Sequence, residues 1–385
     1  MLKGISLLPI LVSVFLTAGA QDFKDTLEVD MLVQIPVTSV KNQSKSGTCW
    51  SFATLSFIES ELLRQTENQF NFSEMYVVRN AYVAKAKKYF RMHGTINFAG
   101  GGEANDVFDV IESTGIVTEN EYNGLVGGKV SHNHNQMDED LKNYMDSVIV
   151  DYNQNSEDWL PGFNLILDKY MGKLPDESKL EVNSLENLGL NSSDYVYLTS
   201  FTHHPFYEEF ILEVPDNWSW HSYFNIPIEE LRQVVDTALF NGYSVVWAAD
   251  YSEDGFLFND GLAVVPEIFY RQKTRAKFAD KSGIDERIVE KVTNLKKPAD
   301  ELVITQELRQ KGFDNYETTD DHLMQIVGKA QGADGKTYFY VKNSWGRKGV
   351  YDGYFFVTEA YFDYKSISIM LHKSALPQSL KEFIK

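Results

Sequence analysis

The one cysteine of the 385-residue chain lies where a reactive thiol is expected. Cys49 follows a polar loop containing Gly47 and precedes an apolar run from Trp50 to Leu63, a pattern that predicts a buried helix beginning at the cysteine. Unpaired backbone N–H groups and the positive end of the helix dipole favour a thiolate there, so we expect a lowered thiol pKa. The alternative is an inert core cysteine, because a free thiol also packs as a small apolar group.

A histidine and an asparagine are predicted to lie side by side on a separate sheet. The segments His322–Lys329 and Tyr338–Lys342 have strand composition, and they flank a turn-like segment at 332–335. Pairing of the two strands around that turn places His322 within one or two residues of Asn343. The hairpin therefore brings a base and a polar side chain together.

These residues have the chemistry of a nucleophile, its base and the group that orients the base. His322 would exchange a proton with Cys49, and the side-chain oxygen of Asn343 would fix the imidazole tautomer. Gln43, together with the backbone N–H of Cys49, would donate hydrogen bonds to the oxyanion of a tetrahedral intermediate. Each residue alone has an ordinary structural explanation, but the combination predicts a catalytic thiol.

The motifs around these residues resemble those of the papain-like cysteine peptidases. They are Gln43 with the run Ser46–Ala53, Asp321-His322 at the start of a strand, and Asn343-Ser344-Trp345-Gly346 at the end of the next. The order Gln, Cys, His, Asn also matches. The resemblance implies an α+β fold with a helical half, a β-barrel-like half and inserted helices.

The same resemblance implies roles for further residues. Cys49, His322, Asn343 and Gln43 would be catalytic. Trp345 would shield the hydrogen bond between the histidine and the asparagine from water. Substrate-binding positions are implied at Gly101 and Gly102, which would pair with peptide backbone, and at Trp50 and Trp345.

The long separation of Cys49 and His322, and the segments Trp220–Ala248 and Thr318–His322, resemble the bleomycin hydrolase and aminopeptidase C branch of the family. This implies hydrolysis of peptide substrates through a thioester acyl-enzyme, most simply by an aminopeptidase, with no cofactor. It also implies a possible hexamer whose C-terminal arms enter the clefts. The alternatives are an endopeptidase with an open cleft and a catalytically silent scaffold that binds peptides or other proteins.

An aminopeptidase must distinguish a free α-amino group from a continuing chain. The segment Leu376–Lys385 could block the cleft, with the carboxylate of Lys385 accepting the ammonium group. The acidic residues of 127–213 are the other candidates. We expect the block to come from 127–213, because about ten residues after the last clear strand are little chain with which to cross a domain.

Residues 1–20 have the pattern of a secretory signal peptide, with Lys3, an apolar core and the ending Ala18-Gly19-Ala20. We therefore expect an exported protein, periplasmic or secreted, without a membrane anchor. One cysteine cannot form a disulfide within the chain. The formal net charge of −19 argues against nucleic acid and anionic membranes as partners.

Composition and periodicity divide the remaining chain into segments. The predicted segments are a helical half at 21–126, an inserted helical module at 127–213, a return to the core at 214–269, a second helical insertion at 270–309, and a β half with a short tail at 310–385. Periodicity further predicts helices at Ser73–Tyr89 and Ile228–Phe240 and strands at Tyr243–Ala248 and Tyr354–Thr358.

Two features of these segments are predicted to have structural explanations. The glycines at 100–102 precede a helical pattern, but they lack the residues of a phosphate-binding loop, so a close approach of backbone is favoured. The histidines at 132, 134, 203 and 204 lack cysteine partners and the His-Glu-x-x-His spacing. We expect them to be solvated, and we expect no metal site.

Overall fold

The computed structural model describes most of the chain, namely residues 27–151, 159–176, 181–267 and 300–384. The predicted signal peptide, residues 1–20, lies outside these ranges. So does most of the predicted second insertion, 270–309. Within the described residues, no helix is both long and apolar enough to cross a bilayer.

The helices of the described residues fall into two groups. Five of them end by Met171, and three begin at or after Ile228. In chain order they are α1 (Cys49–Thr66), α2 (Glu74–Arg91), α3 (Ala104–Thr114), α4 (Asn135–Val150), α5 (Leu160–Met171), α6 (Ile228–Phe240), α7 (Gln306–Asp314) and α8 (Glu359–Lys365).

The strands are concentrated in the second half of the chain. They are β1 (Val29–Gln34), β2 (Tyr195–Thr199), β3 (Glu209–Ile211), β4 (Ser222–Asn225), β5 (Val245–Ala249), β6 (Phe256–Leu257), β7 (Leu262–Ala263), β8 (His322–Gly332), β9 (Thr337–Lys342), β10 (Tyr354–Thr358) and β11 (Ser366–His372).

Helix α1 lies at the junction between the helices and the sheet. Nearly all of its residues from Cys49 to Leu62 are buried, because the helix packs on β8 as well as on α2 and α3. Glu67 ends the helix in the left-handed conformation, with φ at +62°. The predicted buried helix that begins at Cys49 is confirmed.

The described strands form one mixed sheet, in which β8 is central. The strand order is β3-β4-β2-β11-β5-β8-β9-β10-β7-β6, and β1 also pairs with β8. Strands β8, β9 and β10 form an antiparallel meander, with Gln325 opposite Lys342. The predicted hairpin and the predicted α+β, papain-like fold class are confirmed.

Two hydrophobic clusters cover opposite faces of this sheet. Along β5, Val246 and Ala248 belong to the cluster that contains α1 to α5, whereas Val245 and Trp247 belong to the cluster that contains α6 and α8. This alternation follows from the two-residue period of a strand. The sheet therefore carries helices on both faces, and its central strands, such as β5, are buried on both sides, whereas β1 and β3 are largely exposed.

Strand β11 was not predicted, although it lies in the middle of the sheet between β2 and β5. Its residues Ser366 to Leu371 are all buried. Its first four residues, Ser366-Ile367-Ser368-Ile369, do alternate polar and apolar residues, but the run is short and the buried serines do not mark a solvent face.

The segment 127–213 differs from the predicted helical module. Its first half contains α4 and α5, but its second half contributes β2 and β3 to the main sheet. The expectation of solvated histidines is wrong for His134, which is 2% exposed. Burial lowers the pKa of His134 to about 4, so this side chain is neutral at pH 7.

The described part of the C-terminal tail packs beside the second hydrophobic cluster. Leu376 and Leu380 are buried in that cluster, and the ring of Phe383 stacks on Tyr207 with 5.1 Å between centroids. Lys385, whose carboxylate was one candidate for an ammonium acceptor, lies outside the described residues. The described part of the tail therefore contacts the second hydrophobic cluster and the loop between β2 and β3.

A polar cluster joins α1 to the sheet within this apolar environment. Ser56 donates to Gln325 Oε1 at 2.7 Å, and Gln325 Nε2 donates to the hydroxyls of Ser60 at 3.0 Å and Ser244 at 2.9 Å. Lys342 Nζ donates to Ser56 Oγ at 2.6 Å. These hydrogen bonds fix how the helix sits on β8 and β9.

Replacement of Gln325 by leucine, which keeps the volume, should lower the free energy of unfolding by about 1–3 kcal/mol. The reason is that buried hydroxyls lose their partner. Chemical denaturation measures this change. The control is Gln331→Leu at an exposed position of the same strand, which should change stability by less than about 0.5 kcal/mol. Equal effects of the two substitutions would contradict the structural role of Gln325.

Candidate active site

The loop before α1 is held in place by a distant segment. Ser44 and Gly47 have positive φ angles of 56° and 65°, and glycine adopts this conformation without steric strain. The backbone N–H of Lys45 donates to His132 O at 3.2 Å, and the N–H of His134 donates to Lys45 O at 2.9 Å. This pairing orients the turn that delivers Cys49 to the start of the helix.

The Cys49 side chain lies at the junction of α1 with β8. It is 8% exposed, and its sulfur accepts hydrogen bonds from the backbone N–H groups of Leu323 and Trp50. Leu323 immediately follows His322, the first residue of β8. The structure thus brings the thiol and the imidazole to one place, although 272 residues separate them in the chain.

The ring of His322 is oriented by Asn343, as the hairpin predicted. His322 Nε2 lies 2.8 Å from Asn343 Oδ1, and this oxygen also accepts from the backbone N–H of Ser344 at 2.7 Å. An amide oxygen can only accept, so His322 Nε2 carries the hydrogen and Nδ1 has a free lone pair. His322 therefore has a nitrogen that can take a proton.

Aromatic rings surround this hydrogen bond. Trp345 stacks on His322 with 4.8 Å between centroids and 27° between planes, and Tyr251 contacts the imidazole edge-on at 5.4 Å. Phe256 and Phe258 pack in turn against Trp345. The rings keep water away from His322, and this burial lowers the pKa of His322 to about 4 against the opposing effect of Asn343.

Gln43 is anchored by the residue that follows Asn343. Ser344 Oγ donates to Gln43 Oε1 at 2.6 Å, and the backbone N–H of Gln43 donates to Ser344 O at 2.9 Å. Because the side-chain oxygen is engaged, the Nε2 amide is the group left to donate to a substrate. The arrangement suits an oxyanion hole shared with the backbone N–H of Cys49.

The glycines at 100–102 allow close packing by the chain itself. A Cβ on Gly101 would lie 2.0 Å from Asp216 Oδ2, and one on Gly102 would lie 2.8 Å from Asp106 Oδ2. Trp50 Nε1 donates to Gly100 O at 2.9 Å, which ties this loop to the first turn of α1. The predicted close approach of another backbone is found at Gly100, where a Cβ would lie 3.0 Å from Ser46 O, whereas side chains approach Gly101 and Gly102. A role of Gly101 and Gly102 in binding substrate stays a prediction.

Two models of protein families match the chain. The model described as papain family cysteine protease matches residues 26–160, and the model described as Peptidase C1-like family matches residues 294–385. The first match includes Gln43 and Cys49, and the second includes His322 and Asn343. The chain belongs to the papain-like cysteine peptidases. This family was the one predicted from the motifs.

Individual relatives differ in how much of the chain they match. Aminopeptidase E of Lactobacillus helveticus is 22% identical over 91% of this chain and 84% of its own length. Aminopeptidase C of the same organism is 37% identical over 71 residues, which are 18% of this chain and 16% of that protein. A viral cathepsin of Autographa californica nuclear polyhedrosis virus is 31% identical over 26% of this chain and 27% of its own length. The latter two matches thus span less than a third of those relatives.

A solved structure shows the same fold. The crystal structure of PepW from Lactobacillus rhamnosis matches 92% of this chain and 84% of its own, with a TM-score of 0.68 and 18% sequence identity. The likeness extends over nearly the whole chain, including the segments between the two family matches. At this identity the likeness shows the fold.

The expectation of a lowered pKa for Cys49 is wrong for this site. Burial of the thiol raises its pKa to about 12, and the carboxylates of Asp216 and Asp320 raise it further, against the N–H groups of Leu323 and Trp50. The helix start contributes less than desolvation does. Burial therefore disfavours the charged forms of both Cys49 and His322, and an ion pair forms by transfer of a proton from sulfur to Nδ1.

Three carboxyl groups near Cys49 escaped the sequence analysis. Glu103 directly precedes α3, Asp216 lies between β3 and β4, and Asp320 lies just before β8. Burial raises the pKa of Asp320 to about 7 and that of Glu103 well above its ordinary value. No local pattern marks these acids as a group, because they come from distant segments.

His203 and His204 also have a neighbour that the sequence did not indicate. One ring nitrogen from each histidine and one carboxylate oxygen of Glu213 lie within 4.8 Å of one another, and each of these atoms could bind a metal ion. Gln310 Nε2 lies 3.1 Å from His203 Nδ1, so one imidazole nitrogen already has a partner. The cluster is at the surface, on the described residues that lead from β2 to β4.

Replacement of Ser344 by alanine should lower kcat for peptide hydrolysis by about 3- to 30-fold, with little change in KM. The Gln43 amide would lose the bond that orients it, which is a smaller loss than the 10²- to 10³-fold expected for removal of an oxyanion donor. Steady-state kinetics measure both constants. Ser344→Thr, which keeps the hydroxyl, should restore most of kcat, and an effect confined to KM would contradict this role.

Replacement of Asp320 by asparagine should speed the alkylation of Cys49 by iodoacetamide several-fold at pH 8. Removal of a negative charge near the sulfur lowers the thiol pKa, so more thiolate is present. The modification rate is followed by mass spectrometry. Glu186→Gln, an equal change of charge at an exposed site, is the control. A slower or unchanged rate in the Asp320 variant would show that this carboxylate does not act on the thiol.

Proposed function

We propose that this protein hydrolyses peptide bonds through a thioester acyl-enzyme on Cys49, and that it acts as an aminopeptidase. The observation that carries the proposal is the 2.8 Å hydrogen bond between His322 Nε2 and Asn343 Oδ1 at the junction that holds the thiol. It leaves Nδ1 as a base within a site that excludes water. A buried structural cysteine would need no such oriented imidazole.

In the first half of the reaction, Nδ1 of His322 accepts the thiol proton as the sulfur attacks the carbonyl carbon of the substrate. Charge develops on the carbonyl oxygen, where the Gln43 amide and the Cys49 backbone N–H donate to it. The imidazolium then gives its proton to the departing amine, and the C–N bond breaks. The acyl group stays on Cys49 as a thioester.

In the second half, water replaces the amine. His322 takes a proton from the water as its oxygen attacks the thioester carbon, and the same donors stabilise the second oxyanion. The C–S bond breaks, the sulfur recovers a proton from the imidazolium, and the carboxylic acid leaves. Asn343 and Trp345 hold the ring in one orientation through both halves, so that Nδ1 serves each transfer.

The proposal that the enzyme removes N-terminal residues rests on its relatives. Aminopeptidase E is the curated relative that aligns over most of both chains, and aminopeptidase C matches a shorter part. Both names describe cleavage at a free N-terminus. The experiment below tests this proposal against two alternatives. One is an endopeptidase with an open cleft, and the other is a catalytically silent scaffold that binds peptides.

Two further predictions from the sequence stay predictions. Export would follow cleavage near Ala20, which lies outside the described residues. A hexamer is implied by resemblance to the aminopeptidase C branch. N-terminal sequencing of the secreted product would test the first, and sedimentation analysis of the purified protein would test the second.

The purified enzyme should release fluorophore from amino-acid amidomethylcoumarins with a free amino group at least about tenfold faster than from their N-acetylated forms. The reason is that an aminopeptidase must recognise the free terminus. Cys49→Ala should remove all turnover while circular dichroism and the melting temperature stay close to those of the native chain. Equal cleavage of long blocked peptides would favour the endopeptidase, and turnover by Cys49→Ala would overturn the peptidase mechanism.

A further inference from the structure

The three carboxyl groups near Cys49 come from three separate elements. Glu103 is fully buried beside the first turn of α3, Asp216 lies directly over Gly101, and Asp320 precedes the strand that carries His322. Asp216 and Asp320 are both partly exposed. Each also acts on the charge of the Cys49 thiol. The loop under Asp216 is tied to the start of α1, because Trp50 Nε1 donates to Gly100 O at 2.9 Å.

Two oxygens of this cluster have no hydrogen-bond donor among the described residues. Glu103 Oε2 accepts from the hydroxyl of Tyr223 at 3.2 Å, but its Oε1 is buried without a donor. Asp320 Oδ2 is in the same condition. The two carboxyl groups are within hydrogen-bonding range of each other, and burial raises the pKa of both, so the pair holds a shared proton.

The lysine beside this cluster does not supply the missing donor. Lys85 Nζ donates to the backbone oxygens of Ala99, at 2.8 Å, and Gly101, and its charge acts on Asp216 and Asp106. Glu103 and Asp320 are left facing each other. Burial keeps a proton on this pair instead of leaving two buried negative charges. A ligand that brings positive charge and N–H groups can take the place of that proton.

We propose that Glu103, Asp216 and Asp320 form a subsite for a positively charged group of the substrate, and that this group is the free α-ammonium of the first residue. The inference rests on the proposed aminopeptidase function and names what recognises the amine. An ammonium group carries three donors, which matches the oxygens of Glu103 and Asp320 after loss of their shared proton, together with the partly exposed Asp216. The residues that accept hydrogen bonds from the ammonium group therefore lie outside the two segments considered in the sequence analysis, 127–213 and the C-terminal tail.

The position of this subsite links recognition to the nucleophile. Asp216 and Asp320 hold the pKa of the Cys49 thiol high while their charge is unbalanced. A bound ammonium group balances that charge, so the thiol loses its proton to His322 more easily when the correct substrate is present. A peptide with a blocked terminus would bring no such charge.

A basic side chain carries the same chemistry as an α-ammonium, and the experiment separates the two. The wild-type enzyme and the variants Glu103→Gln, Asp216→Asn and Asp320→Asn are assayed with three substrates: leucyl-amidomethylcoumarin, its N-acetyl form, and N-acetyl-arginyl-amidomethylcoumarin. We expect each variant to lose about 10- to 100-fold in kcat/KM on the free-amine substrate, the scale of one charge-assisted hydrogen bond. Activity on the acetyl-leucyl substrate should stay the same or rise several-fold, because loss of a carboxylate lowers the thiol pKa. Glu67→Gln, at an exposed position outside the segment 127–213, should leave all rates unchanged.

If the loss instead falls on the acetyl-arginyl substrate, the subsite takes a basic side chain, and the α-ammonium assignment is overturned. If all substrates lose activity equally, the carboxyls serve the fold or the chemical step, and the subsite is overturned. The amide variants should melt at the same temperature as the native chain or higher, because a buried neutral amide costs less than a buried acid. A lower melting temperature would indicate a structural role.

A binding measurement separates this inference from the proposed function. In the Cys49→Ala protein, leucinol, which has an ammonium group and no scissile bond, should bind at least about tenfold more tightly than N-acetylleucinol by calorimetry. Glu103→Gln and Asp320→Asn should remove the difference. If the native enzyme hydrolyses nothing but this difference is found, the function fails and the subsite stands. If hydrolysis occurs and leucinol shows no preference, the subsite fails and the function stands.

Discussion

The packing of the first turn of α1 against the first residues of β8 is the contact on which the site depends. The helix delivers Cys49, the strand delivers His322, and the N–H of Leu323 donates to the sulfur between them. The polar cluster around Gln325 lies one to two turns further along the same interface. A displacement of the helix on the sheet would therefore break hydrogen bonds in the cluster and, at the same time, separate the Cys49 thiol from its base, His322.

The same interface explains why the resting site is neutral. Aromatic rings around His322 and the buried position of Cys49 both disfavour charge, so the thiol keeps its proton and the imidazole lacks one. The acids beside the thiol add to this effect. In such a site the reacting groups are positioned but not yet charged. Charge separation becomes favourable when a substrate supplies compensating charge and engages the oxyanion donors.

Much of the fold could be predicted from local patterns. The amphipathic period of Ile228–Phe240 gave that helix with its bounds, and the turn at 332–335 gave the hairpin that brings His322 to Asn343. Prediction failed where local pattern carries no signal. Strand β11 is buried on both faces, and β2 belongs to a segment whose polar composition favoured helices. The backbone of His134 is hydrogen bonded to the loop at 45, a long-range contact that no periodicity of the sequence indicates.

By itself the sequence determined the types and order of the reacting residues, the helix start at Cys49 and the hairpin, because each depends on side-chain chemistry and short-range periodicity. Only the tertiary structure decided how these groups are charged and what surrounds them. Desolvation reverses the expected shift of the Cys49 pKa, and three acids from distant segments meet beside the thiol. Both effects depend on burial and on contacts between residues far apart in the chain, which no local pattern encodes.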